Sequence, residues 1–157
     1  MKEILQLGDP RLRVKAESIL PEELENLFAP NSIVAQMVEV LIKTKGIGLA
    51  APQLGINKAV ILVKEPNDNI SVLINPEIVK RSSQTTLKGE ACLSCPGMLV
   101  PVLRSKSIKV RSMDRTGRIA TEGVRGTSAI IIQHEVDHLN GTLISDLSER
   151  DPFPLTY

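Results

Sequence analysis

Residues 134–138 read His-Glu-Val-Asp-His, and no other stretch restricts the fold as tightly. Residues four apart stack on one face of a helix, so His134 and His138 reach a common ion only if this segment is helical. The surrounding run GTSAIIIQHEVDHLNG (126–141) has the punctuation of such a helix. Thr127 or Ser128 suits the N-cap, and Asn140-Gly141 suits the stop. Glu135 then sits about 100° around the helix from His134, beside an ion and not on it. That is the position a general base needs to take a proton from a metal-activated water. The plain alternative is a polar face on an ordinary helix. Against it, these are the only two histidines, and they follow an Ile-rich stretch that should be buried. Unpaired histidines and a carboxylate there would cost several kcal/mol.

The rest of the chain must enclose that helix. The first 30 residues read as an irregular arm broken by Pro10, Pro21 and Pro30. NSIVAQMVEVLIKTKG (31–46) reads as a helix capped by Asn31 or Ser32, with Val34, Val38 and Leu41 on one face and Gly46 as its stop. KAVILVKE and SVLINPEIV are short Val/Ile-rich runs separated by a Pro-Asn-Asp-Asn turn. SIKVRSMDRTGRIATEGV alternates and then turns at Asp-Arg-Thr-Gly, as a hairpin does. Beyond Leu147, Pro152 and Pro154 exclude a third long helix. With no Trp, one Tyr and two Phe, the core is built from Ile, Leu and Val. These signs predict an α+β fold, with short, mostly antiparallel strands packed around a central metal-binding helix. A length of 157 residues predicts one domain spanning 1–157.

A catalytic site of this kind needs three protein ligands and an open position. GEACLSCPG (89–97) offers Cys92 and Cys95. Together with both histidines they would make a closed two-Cys, two-His structural site. The gap of 38 residues between Cys95 and His134 is far from the ~12 of a compact finger, and a closed site leaves Glu135 idle. A zinc peptidase would draw its third ligand from downstream, where no further His follows. A formal charge of +1 gives no electrostatic case for nucleic acid or an anionic membrane as partner. No run approaches the ~18 to 20 apolar residues of a membrane span, and the N-terminus does not read as a signal peptide. The expected compartment is the cytoplasm, where free thiols or metal-bound thiolates are favoured over a disulfide.

Three stretches together resemble the motifs of peptide deformylases: GIGLAAPQ (46–53), EACLS (90–94) and HEVDH (134–138), in the same order. LGDPRLR, DRTG and the Leu-Asn-Gly after His138 are similar as well. The resemblance implies a metal-dependent hydrolase that removes the N-terminal formyl group from formyl-methionyl nascent polypeptides. It implies Cys92, His134 and His138 as ligands of one divalent ion, Fe2+ first, with Zn2+, Ni2+ or Co2+ as substitutes. It further implies Glu135 as the general base, and the Gln53 amide with the Leu93 backbone N–H as donors to the formyl oxygen. Ile47, Gly48, Glu90, Ile130 and Ile131 would contact the substrate, with Ile47, Ile130 and Ile131 forming an aliphatic wall for the methionine side chain. GIGLAA, with its small residues, suits pairing with an extended peptide as an added strand.

The chain departs from that pattern in three places. Ala91 stands where the family usually has Gly, a substitution that costs about 1 kcal/mol if the position requires positive φ. Cys95 stands where an aliphatic residue is common, and its expected role is a small buried hydrophobe. The C-terminal helix with which many bacterial members dock on the ribosome is not expected here; formylated nascent peptides are the expected partner, and the ribosome stays a candidate partner without that means of docking. Glu90 and Arg104 are either a buried pair bracing the Cys92 loop or two solvated charges. The partner of Asp137 is left open.

Overall fold

The computed structural model describes residues 2–148 and, for the backbone alone, Phe153–Pro154. Five antiparallel strands form the larger sheet, in the order β1-β2-β3-β6-β7. They are β1 (Gly48–Ala50), β2 (Val60–Lys64), β3 (Ile70–Arg81), β6 (Ser107–Met113) and β7 (Ile119–Arg125). Their turns are the ones the sequence marks. Glu65 N–H bonds the Asn69 carbonyl at 2.8 Å, and Asp68 takes the left-handed conformation between them (φ 66°). In the β6–β7 turn the Asp114 carboxylate accepts from Thr116 N–H at 2.8 Å, and Gly117 supplies the positive φ of 84°.

A second sheet pairs β4 (Thr85–Cys92) with β5 (Cys95–Ser105), and a two-residue strand β8 (Phe153–Pro154) adds to β5. The β4–β5 hairpin turns through Leu93 and Ser94, which leaves Cys92 and Cys95 as facing partners at its tip.

Among the described residues three α-helices complete the fold: α1 (Leu24–Leu27), α2 (Ile33–Thr44) and α3 (Gly126–Leu139). Helices α2 and α3 cover opposite faces of β2. Val60 and Leu62 pack into a core with Met37, Leu41 and Leu49, whereas Ile61 and Val63 pack with Ile108, Val110, Ile132 and Val136. Burial on both faces explains why this strand reads Val-Ile-Leu-Val without alternation. Each such side chain contributes about 1.5–3 kcal/mol. The expected α+β fold, with mostly antiparallel strands packed around α3, is what the structure shows, and α2 covers the far side of the sheet.

Ser32, one of the two expected caps, caps α2, accepting from Ala35 N–H. Other local details differ from expectation. The left-handed stop is Lys45 (φ 53°), one residue before Gly46, whose N–H returns to the Leu41 carbonyl. Neither Thr127 nor Ser128 caps α3: Arg125 occupies that position, and the Ser128 hydroxyl donates to Glu65 instead. The N-terminal arm holds single helical turns at Pro10–Arg13 and Pro21–Glu23, each opened by its proline. The readings made beyond Leu147, including that of the missing docking helix, fall almost wholly outside the described residues.

Candidate metal centre

The tip of the β4–β5 hairpin meets the middle of α3. Cys92, His134 and His138 each present a ligand atom there, all within 4.8 Å of one another. Among the described residues Cys95 does not join this cluster. The Cys92 Sγ lies 3.2 Å from His138 Nε2, and the two imidazole rings meet edge to face with centroids 5.0 Å apart. One thiolate and two imidazoles leaving a side open to a cleft is the donor set of a reactive site, not of a closed one. His138 is buried and His134 nearly so, and His138 Nδ1 has no partner among the described residues. Burial and the neighbouring His134 hold His138 neutral, with a pKa of about 3, which keeps its Nε2 lone pair available.

His134 is oriented from behind. Its Nδ1 lies 2.8 Å from Glu90 Oε2, a contact to a carboxylate that requires the proton on Nδ1 and frees Nε2. Glu90 is itself gripped by Arg104, whose Nε and Nη2 donate to its two oxygens at 2.7 and 2.9 Å. Arg104 Nη1 also donates to Asp137 at 2.5 Å, which supplies the partner the sequence left open. Burial opposes ionisation of Glu90, yet the Arg104 and His134 contacts outweigh it and lower its pKa below the ordinary value. The Glu90–Arg104 alternatives thus resolve to a buried pair. Glu90 lines the cleft, and its carboxylate oxygens are held by Arg104 and His134.

Glu135 stands beside the ligands, 4% exposed, with Oε2 unpartnered. Burial pushes its carboxyl up to about 7, a value matched to moving protons near neutrality. Gly48 makes room for it: a Cβ on Gly48 would come within 2.3 Å of Glu135 Oε1 and 2.7 Å of Ile131. Gln53 is held with its amide sense fixed. Its Oε1 accepts from Ala50 N–H at 2.9 Å, so Nε2 points the other way, 3.2 Å from Ser94 Oγ and 3.7 Å from Cys92 Sγ. Ser94, fully buried, is a positioning residue the sequence did not single out. Only its place one residue beyond Leu93 hinted at it.

A cleft of about 690 Å³ opens onto this cluster, lined on one side by Gly46–Gly48 and on the other by Lys88–Leu93. Ile130 and Ile131 form part of its wall, and Ile47, 57% exposed, stands at its rim. Strand β1 is the edge of the five-stranded sheet, so one side of its backbone faces away from β2. Ala91 is exposed on the cleft and is absent from the described residues of positive φ, so its methyl group costs the loop no strain.

The sequence model of the family described as Polypeptide deformylase matches residues 1–152. A peptide deformylase of Dictyoglomus thermophilum is 40% identical over 146 residues, covering 93% of this chain and 92% of that one. The crystal structure of the peptide deformylase from Thermotoga maritima superposes with a TM-score of 0.85 at 36% identity, covering 96% of this chain and 99% of that one. A class I type b peptide deformylase from Acinetobacter baumannii, solved with Met-Ala-Ser bound, gives a TM-score of 0.84 at 31% identity, over 94% and 98% of the two chains.

Proposed function

Since this chain belongs to the polypeptide deformylase family, we propose that Cys92, His134 and His138 hold its divalent ion and that Glu135, Gln53 and the Leu93 N–H act on the formyl group. The protein is a hydrolase that removes the N-terminal formyl group from formyl-methionyl peptides, releasing formate. The observation that carries the residue assignment is the convergence of three ligand atoms, a buried carboxylate and an oriented amide at one end of one cleft.

The bound ion supplies Lewis acidity, making water at the site more acidic and the formyl carbon more electrophilic. Glu135 takes the proton from the attacking water and returns it to the departing amine. Its place beside the ligand atoms, buried and with Oε2 unpartnered among the described residues, suits both transfers. The Gln53 Nε2–H and the Leu93 N–H donate to the oxygen on which negative charge develops. Because Ala50 and Ser94 already fix the Gln53 amide, little reorganisation is needed as that charge appears. The β1 edge pairs with the peptide backbone, and the Ile130–Ile131 wall receives the methionine side chain.

Membership of the family implies Fe2+ as the native ion, with Zn2+, Ni2+ or Co2+ able to replace it, and a thiolate with two imidazoles accommodates all four. We read residues 1–157 as one catalytic domain working in the cytoplasm on nascent chains as they leave the ribosome. No helix among the described residues is long and apolar enough to cross a membrane.

The test is formate release from formyl-Met-Ala-Ser by protein loaded anaerobically with Fe2+ or Ni2+ and assayed for metal content. Stoichiometrically loaded protein that releases no formate would overturn the assignment. Cleavage of internal peptide bonds would point to a peptidase.

A further inference from the structure

Strand β4 and helix α3 run in step along the cleft. Cys92 meets His138 and Glu90 meets His134, so two residues of strand match four of helix. The pairing of β4 is irregular between Glu90 and Cys92 but regular from Glu90 back to Lys88, where two strand residues advance ~6.6 Å against ~6 Å for four helical residues. Continuing one such step from Glu90 and His134 leads to Lys88 on the strand and Ile130 on the helix, with Thr127 one turn earlier, and all three line the cleft. Strand alternation places Lys88 on the same face as Glu90, while Gly89 lies on the opposite face, against Leu99. On the helix, Thr127, Ile130, Ile131 and His134 share one face, and all of these residues line the cleft.

Moving away from the ligands, the cleft is therefore aliphatic at Ile130 and Ile131 and polar at its far end. Lys88 takes part in no described ion pair, and the acid nearest it on its face, Glu90, is committed to Arg104 and His134. A methionine side chain laid along the isoleucine wall brings its sulfur toward the Lys88 ammonium and the Thr127 hydroxyl. A thioether accepts hydrogen bonds weakly. A sulfoxide keeps the same stem and adds a polar oxygen that accepts strongly.

We propose that Lys88 is a specificity residue that lets this chain deformylate peptides beginning with N-formylmethionine sulfoxide, donating to the sulfinyl oxygen with Thr127 as a second donor. The chemistry at the formyl carbon is the same hydrolysis. The inference rests on the reading that the Ile130–Ile131 wall receives the first side chain.

The experiment compares kcat/KM for formyl-Met-Ala-Ser and for both sulfoxide epimers of the same peptide, in wild type, Lys88→Met and Lys88→Arg. Lys88→Met removes the donor and extends the apolar wall. It should raise kcat/KM for the thioether and lower it for at least one sulfoxide epimer, shifting their ratio about tenfold or more. Lys88→Arg should hold the ratio within about threefold of wild type, because the donor is retained. A ratio that does not move in Lys88→Met overturns the proposal while the deformylase reading stands. Wild-type protein, fully loaded with metal, that turns over neither peptide would refute the functional reading and this inference with it.

Discussion

Glu90 accepts from His134 Nδ1 at 2.8 Å while both of its oxygens are held by Arg104, so one carboxylate fixes a ligand ring and neutralises a buried guanidinium. Glu90→Gln should therefore weaken metal binding by about 10- to 100-fold, measured by competition against a chelator. An affinity within twofold of wild type would show that the ring is oriented without it.

The same substitution should destabilise the metal-free protein by about 3 kcal/mol in urea at neutral pH, because Arg104 loses its principal partner. The pH dependence has a defined sign. Glu90 has a lowered pKa in the folded state, so its contribution is complete above the unfolded value of about 4.5 and is lost as pH falls through the lower folded value. Glu90 also raises the pKa of His134, so the gap between wild type and Glu90→Gln should grow as His134 protonates and then narrow below about pH 4.5. A gap that does not narrow below about pH 4.5 would contradict this assignment.

Glu135→Gln keeps the shape of the side chain and removes its basicity. Metal content should remain stoichiometric and formate release should fall by about 10²- to 10⁴-fold. Normal turnover in that variant would remove Glu135 from the mechanism.

Gly48→Ala places a methyl group where Glu135 Oε1 and Ile131 already stand. Overpacking of this kind costs about 1–3 kcal/mol, and here it also displaces the base. Both the urea midpoint and kcat should drop. A fully active Gly48→Ala enzyme would mean that the Glu135 carboxylate can adopt another position without loss.

The two cysteines should separate cleanly. Cys92→Ser should lose the ion, whereas Cys95→Ser should keep it, because Cys95 lies outside the ligand cluster although it faces Cys92 across the hairpin. Equal losses measured by metal analysis would instead favour a closed four-ligand site.

Much of the site was legible because its chemistry is local. His134, Glu135 and His138 lie within one turn and a half of helix, and their spacing encodes their geometry. Cys92 was harder. Nothing in its neighbourhood links it to a helix 42 residues later, and only the joint pattern of three motifs did so. Asp137 could be seen as unassigned, but its partner Arg104 comes from β5, across a pairing that no periodicity specifies. Ser94 closes the EACLS stretch, but its role was hidden for a related reason, since a buried hydroxyl is meaningful only once Gln53 is beside it. The Lys45 stop was missed because a glycine follows it directly. Glycine takes the left-handed conformation at the lowest cost, but here the cap fell one residue earlier.

The ligand atoms come from two separate territories, the hairpin of the smaller sheet and the helix that covers the larger one. Among the described strands no ladder joins those sheets. An ion held by Cys92, His134 and His138 is thus a reversible crosslink between them, closing a loop of more than forty residues each time it binds. By mass action its binding energy becomes folding energy. The thermal midpoint of the protein is then a logarithmic gauge of free metal concentration, and a cell starved of its ion would hold a pool of this enzyme that is both inactive and more easily degraded.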